Sequence, residues 1–228
     1  MEKNALIIGA TGLVGRELVQ LLVEENKYKQ ITVLTRRKSF EHPAIKEVVA
    51  DFNNLAAYKE RLEADDVFCC IGTTIKKAGS QAEMEKIDLH YPVEIASLAF
   101  EMGARQMLVI SSIGANRDSK IFYSSLKGRL EESLKTIGYP SLAIFRPSLL
   151  LGKREEFRFG EKLSSYLLLP LSFLLVGPLR KYRGISAKAV AASMSKIAEI
   201  NNVGVHILES DEIERHARMK RSSFSFTK

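Results

Sequence analysis

Leu6-Ile7-Ile8-Gly9-Ala10-Thr11-Gly12-Leu13-Val14-Gly15-Arg16-Glu17-Leu18 decides the fold of this chain. An apolar run enters a glycine-spaced turn and an apolar helical pattern follows at once, so strand, tight turn and helix are read from one stretch. Gly9 can turn the chain sharply, Gly12 leaves room for a pyrophosphate to approach the backbone, and Gly15 lets the helix pack closely on the strand. The N–H groups of the first helical turn and the positive end of the helix dipole then make an anion site that needs no basic side chain. The stretch predicts a dinucleotide site at Gly9, Thr11, Gly12, Leu13 and Val14.

Outward from this unit, strand and helix patterns alternate. Strands are expected at 30–35, 46–50, 66–71, 106–111 and 141–145. Asn54 is placed to cap a short helix running to Leu62, a longer helical stretch over 81–102 should kink or restart near Pro92, and 123–136 is helical with Gly138 beyond its end. Beyond Leu149 the rhythm changes to an irregular apolar stretch, a helix at 187–200, a strand at 203–208 and a basic helix from about Ser210. Repeated β–α units imply right-handed crossovers, so the predicted class is α/β, a doubly wound parallel sheet (Rossmann fold). The whole chain, 1–228, is one NAD(P)-binding domain in this reading, with 149–185 and 209–228 as a small C-terminal substrate and lid lobe.

Composition narrows the function classes. A chain of 228 residues with 46% hydrophobic and 27% charged residues has the make-up of a globular domain large enough for a substantial core. The longest apolar stretch, 166–179, is too short and too proline-broken to span a bilayer, and a strand pattern begins within a few residues of the start, so a cytoplasmic location and no membrane span are expected. Cys69 and Cys70 are the only cysteines and are adjacent in an apolar run, which argues against a disulfide framework or a zinc site. The four histidines share no metal-ligand spacing, and no metal is expected. The net charge of +7 suits an anionic cofactor or reflects the basic tail, where the 215–221 stretch lacks the aromatic interleaving of a nucleic-acid surface.

In a doubly wound sheet, ligands sit at the carboxyl ends of the strands, so the informative positions follow them. After the second strand an NAD site usually carries an acid; here the chain gives Thr35-Arg36-Arg37-Lys38, which relieves a 2′-phosphate of repulsion and offers it charge-assisted donors. NADP(H) is therefore the preferred cofactor and NAD(H) the alternative. A solvated basic loop is the plainer reading of the same residues. Asp51 and Phe52 close the third strand, where a carboxylate could accept from an adenine amino group or simply form a turn. Cys70, Ile71, Gly72 and Thr73 end the fourth, Ser111 and Ser112 the fifth, and Arg146, Pro147 and Ser148 the sixth. Tyr123 and Lys127 lie four apart on one helical face, where an ammonium favours a phenolate and a facing serine can hold a carbonyl oxygen.

With these motifs the chain resembles the short-chain dehydrogenase/reductases, in their atypical and extended branch. Phe68-Cys69-Cys70-Ile71-Gly72-Thr73-Thr74 with Lys77-Ala78-Gly79 narrows the resemblance to the HIV Tat-interacting protein group and its bacterial, sugar-nucleotide-epimerase-like relatives. The resemblance implies an NADP(H) cofactor, Tyr123 as acid and base, Lys127 bound to the nicotinamide ribose, and Ser112 orienting the substrate, with Ser111 as fallback. It implies an NADP(H)-dependent oxidoreductase or epimerase acting on a carbonyl or hydroxyl substrate. A helical asparagine used by many members for a proton relay is replaced by Asp88. The alternative function is a non-catalytic NADP(H)-binding sensor or regulatory protein, and in either case the chain is expected as a monomer or a homodimer. For the apolar segment 166–176, a lid helix, an apolar substrate channel, a dimer contact and a membrane-surface contact all stay open.

Overall fold

The computed structural model describes residues 3–152, 181–200 and 202–219. In chain order the elements are β1 (Lys3–Ile8), α1 (Leu13–Glu25), β2 (Tyr28–Thr35), β3 (Ile45–Val49) and a 3₁₀ helix (Leu55–Arg61). Then come β4 (Asp66–Cys69), α2 (Ile75–Ala78), α3 (Gln81–Glu85), a π-helical turn (Lys86–His90), α4 (Tyr91–Glu101), β5 (Gln106–Ile110) and α5 (Phe122–Ile137). β6 (Ser141–Arg146), β7 (Leu150–Leu151), β8 (Ile185–Ser186), α6 (Ala187–Ile200), β9 (Gly204–Glu209) and α7 (Ser210–Arg218) complete the described chain.

Seven strands form one sheet in the order β3-β2-β1-β4-β5-β6-β9, and every pairing in it is parallel. Alternate residues of each strand face opposite layers, so a strand covered on both sides is apolar throughout. Leu6, Ile8, Val67, Met107 and Ile144 build one core with α4 and α5. Ala5, Ile7, Phe68, Leu108 and Phe145 build the other with α1 and α6. Phe68 and Phe145 are fully buried, each contributing on the order of 1.5–3 kcal/mol by removal from water. The chain leaves β1 for β2 on one side and returns to β4 on the other, which opens a crevice at the carboxyl ends of β1 and β4.

The strand expected at 203–208 is Gly204–Glu209, which pairs with β6 as the seventh strand of the main sheet and buries Leu208 in the α1/α6 core. α7 likewise buries Ile213 in that core. The segment after Asn54 is 3₁₀ rather than α-helical, and the Asn54 side chain makes no cap hydrogen bond. Near Pro92 the helix restarts as expected, with Pro92 in the first turn of α4, but the interruption is a full π-helical turn before it. Of the expected 149–185 lobe, the described part is Leu149 to Gly152 and Lys181 to Ile185, which holds the two-residue parallel pairing of β7 with β8. The apolar segment 166–176 lies outside the described residues.

Candidate active site and dinucleotide cleft

Gly9 adopts φ +77°, and a Cβ there would lie 2.6 Å from the Cys70 carbonyl carbon, so only glycine lets the turn pass between β1 and β4. Gly12 closes the turn through its N–H to the Gly9 carbonyl at 3.0 Å and caps α1 without a side chain. No acidic residue stands in the first turn of α1, so its amides remain available to an anion. Gly15 lies against the Gly9 carbonyl, where an added Cβ would approach to 2.1 Å, which fixes the helix end over the turn. The residues fit a dinucleotide: a bare helix N-terminus, a glycine cradle and a cleft of about 740 Å³ meet at the crevice.

Gly9, Thr11, Gly12, Arg36, Arg37, Phe52, Cys70, Ile71, Gly72 and Thr73, all expected at the site, line this cleft. So do Arg16 and Lys77, which the sequence reading passed over; Arg16 directly follows the glycine motif, and that position was the available signal. Four of the described lining residues are basic and none is acidic. The nearest carboxylate at the end of β2, Glu47 on β3, is turned into the loop. It accepts from Thr35 Oγ1 at 2.8 Å and from the Ser39 and Phe40 amides at 2.9 and 3.2 Å, and so shapes the arginine-bearing segment. Phe52 packs edge-on against Tyr91, giving the far end of the cleft an aromatic wall.

Other expected residues stand elsewhere. Val14 is buried in the core, so any part it takes is through its backbone. Leu13 packs under Gly152, and Asp51 Oδ1 accepts from the Asn53 amide at 2.9 Å as a turn former. Ser111 donates to buried Glu131 at 2.5 Å, and Arg146 closes on the same carboxylate through Nε and Nη2 at 2.9 and 2.5 Å. Both are committed to that network. Pro147 receives the Ile113 amide on its carbonyl, and Ser148 is tied to Ser210 and to the Arg183 carbonyl. The Ser112 hydroxyl, by contrast, is buried and has no hydrogen-bond partner among the described residues.

Lys127 is buried under the start of α5, with Nζ 6.0 Å from the centre of the Tyr123 ring one turn earlier. Its ammonium lies 3.0 Å from Asp88 Oδ2, and Asp88 Oδ1 accepts the Thr73 N–H at 2.7 Å. Burial opposes the charge on Lys127, but Asp88, then Tyr123 and Cys69, outweigh it and hold the ammonium above the ordinary lysine value. Burial pushes the Cys69 thiol up to about 11 and the Cys70 thiol up as well, so both are inert thiols beside the site.

A family model described as the NAD dependent epimerase/dehydratase family matches residues 5–131. The chain belongs to this family. Among curated proteins, rat HTATIP2 is 35% identical over 167 residues, covering 71% of this chain and 69% of the relative. The mitochondrial FMP52 of Candida albicans is 35% identical over 159 residues, covering 67% and 69%. These relatives agree with the group suggested by the motifs around Cys70 and Lys77. Among solved structures, the Bordetella bronchiseptica enzyme WbmH in complex with NAD+ superposes with TM-score 0.70 at 13% identity, covering 94% of this chain and 79% of that one. The UDP-glucose 4-epimerase of Thermotoga maritima with UDP-glucose gives TM-score 0.65 at 14% identity, covering 93% and 80%. At such identities the likeness is one of fold. As a family member the chain shares the nucleotide-binding architecture, and no described helix is long and apolar enough to cross a membrane.

Proposed function

We propose that the chain is an NADP(H)-dependent oxidoreductase or epimerase acting on a carbonyl or hydroxyl substrate through Ser112, Tyr123 and Lys127. The observation that carries the reading is the Ser112 hydroxyl, buried just past β5 and without a hydrogen-bond partner among the described residues, on the connection that leads to the helix bearing Tyr123 and Lys127. A hydroxyl without a partner costs about 1–3 kcal/mol if it stays so, and a substrate oxygen supplies one. When bound, NADP(H) supplies or takes the hydride. Ser112 Oγ would hold the substrate oxygen, Tyr123 Oη would pass the proton to or from it, and the Lys127 ammonium would bind the ribose hydroxyls. The first-turn amides of α1 would hold the pyrophosphate, and Arg36 and Arg37, with Arg16 lining the same cleft, would meet the 2′-phosphate. The four basic and no acidic residues among the described lining support the cofactor with the extra 2′-phosphate over NAD(H).

The test is a screen of aldehydes, ketones and sugar nucleotides, the last suggested by the ligands of the structural neighbours, for NADPH oxidation or epimer formation. On any substrate found, Tyr123→Phe should lower turnover by about 10²–10⁴ and leave nucleotide affinity within a few fold. Lys127→Ala should weaken both. Full activity in Tyr123→Phe would refute the assignment. The Asp88 carboxylate, which engages the Lys127 ammonium in an internal ion pair, favours a second reading, a nucleotide sensor. That reading stands if nothing turns over while NADPH changes hydrogen exchange elsewhere in the chain. A cytoplasmic location belongs to the same proposal. The fungal relatives carry "mitochondrial" in their names, and fractionation of cells expressing the tagged full chain decides between the compartments.

A further inference from the structure

The Asp88 carboxylate joins parts of the site that the chain places far apart. Oδ1 takes the amide of Thr73, which lines the cleft, and Oδ2 faces the Lys127 ammonium. Gly72 passes close enough that an added Cβ would lie 3.6 Å from Oδ2. Both side chains of the pair are almost wholly withdrawn from water, at 3% and 0% exposure. A lysine so buried ordinarily gives up its proton, since nothing replaces the hydration of the ammonium. Asp88 reaches it from the π-helical turn, which interrupts the α-helical register between α3 and α4 and carries Asp88 and Leu89 into the interior.

We propose that Asp88 is a positioning residue: it keeps Lys127 charged and, by the same carboxylate, holds the Thr73 loop against the cleft, so that one group sets both walls around the dinucleotide. The inference rests on the proposed function only in that Lys127 touches the bound nucleotide. The charged and titratable groups facing Lys127 are Asp88 from the π-helical turn, Tyr123 from its own helix and Cys69 from β4. Tyr123 and Cys69 are neutral in their ordinary forms, so Asp88 is the counter-ion on which the ammonium depends. Without it, burial favours the neutral amine, and the lysine loses its proton as the pH rises through the working range.

Asp88→Asn keeps an oxygen for the Thr73 amide and removes the charge. NADP+ affinity is measured by calorimetry from pH 5.5 to 9.5 in the parent, in Asp88→Asn and in the double variant Asp88→Asn/Lys127→Met. The dissociation constant of Asp88→Asn relative to the parent should rise about tenfold or more across this range, as a charged hydrogen bond to the nucleotide is lost. The rise should vanish in the double variant. A ratio that stays flat with pH, or a rise that survives Lys127→Met, overturns the inference. Melting temperatures keep it open to refutation if Asp88→Asn folds poorly or if the parent binds no dinucleotide, the latter being a failure of the proposed function alone. Asp88→Asn leaves a buried charge unpaired and should melt lower, and adding Lys127→Met should recover the loss. Equal melting of the single and double variants contradicts it.

Discussion

Two buried carboxylates at opposite ends of the same sheet are each paired with a lysine, and they differ in what else surrounds them. At the amino ends of the strands, Asp66 accepts from Tyr28 at 2.8 Å and from Lys3 at 3.1 and 3.2 Å, and the Lys3 side chain is still 36% exposed. At the carboxyl ends, Asp88 and Lys127 are both buried, and the Ser112 hydroxyl at that end has no hydrogen-bond partner among the described residues. The first arrangement is a closed structural network whose cation reaches water. In the second, both full charges are withdrawn from water at the same end of the sheet as that hydroxyl, the kind of cost that perturbed groups carry at functional sites.

Breaking each network separates them. Lys127→Met strands a buried carboxylate and should cost about 3–5 kcal/mol of stability by chemical denaturation. Gly15→Ala drives a Cβ to 2.1 Å from the Gly9 carbonyl and should cost about 1–3 kcal/mol or more, with nucleotide binding lost as the helix end shifts. Lys3→Met removes a cation already screened by solvent and leaves the buried Asp66 its Tyr28 hydroxyl, so a smaller loss of about 1–2 kcal/mol is expected. A loss from Lys3→Met as large as that from Lys127→Met would erase the distinction between the two ends.

The smallest effect sharpens the same contrast through pH. Burial first, opposed by Lys3 and Tyr28, raises the Asp66 carboxyl above its ordinary value of 3.8. Its folded pKa thus exceeds the unfolded one. The stability it confers is complete below about 3.8 and is lost as the pH rises through the raised folded value. Asp66→Asn should flatten the stability profile in that acid window with little change above it, as thermal melts across the range would show. An unchanged profile would remove Asp66 from the titration.

The difference between the two ends also marks what the sequence could tell. The glycine turn was legible because strand, turn and helix are neighbours in the chain and each glycine answers a local contact. Tyr123 and Lys127 were legible because helical spacing alone puts them on one face. The Asp88–Lys127 pair was not, since it joins a π-helical turn to a helix beyond the next strand, and no periodicity announces a π turn. Ser111 and Arg146 looked like ligand residues because they follow strands, but Glu131, one turn beyond Lys127 on α5, captures both. β9 was legible as a strand, but its place beside β6 was not, since that pairing joins segments separated by the whole stretch from Pro147 to Val203.

We propose that the dinucleotide cleft at the carboxyl end of the sheet takes a 2′-phosphate on Arg36 and Arg37. Calorimetric titration of the nucleotide-free protein with NADPH and with NADH, repeated in Arg36→Asp, tests it most directly. NADPH should bind about tenfold or more tightly than NADH in the parent, and the gap should close or reverse in the variant, because an aspartate there repels the phosphate. Equal affinities in the parent, or binding of neither nucleotide, would contradict the account.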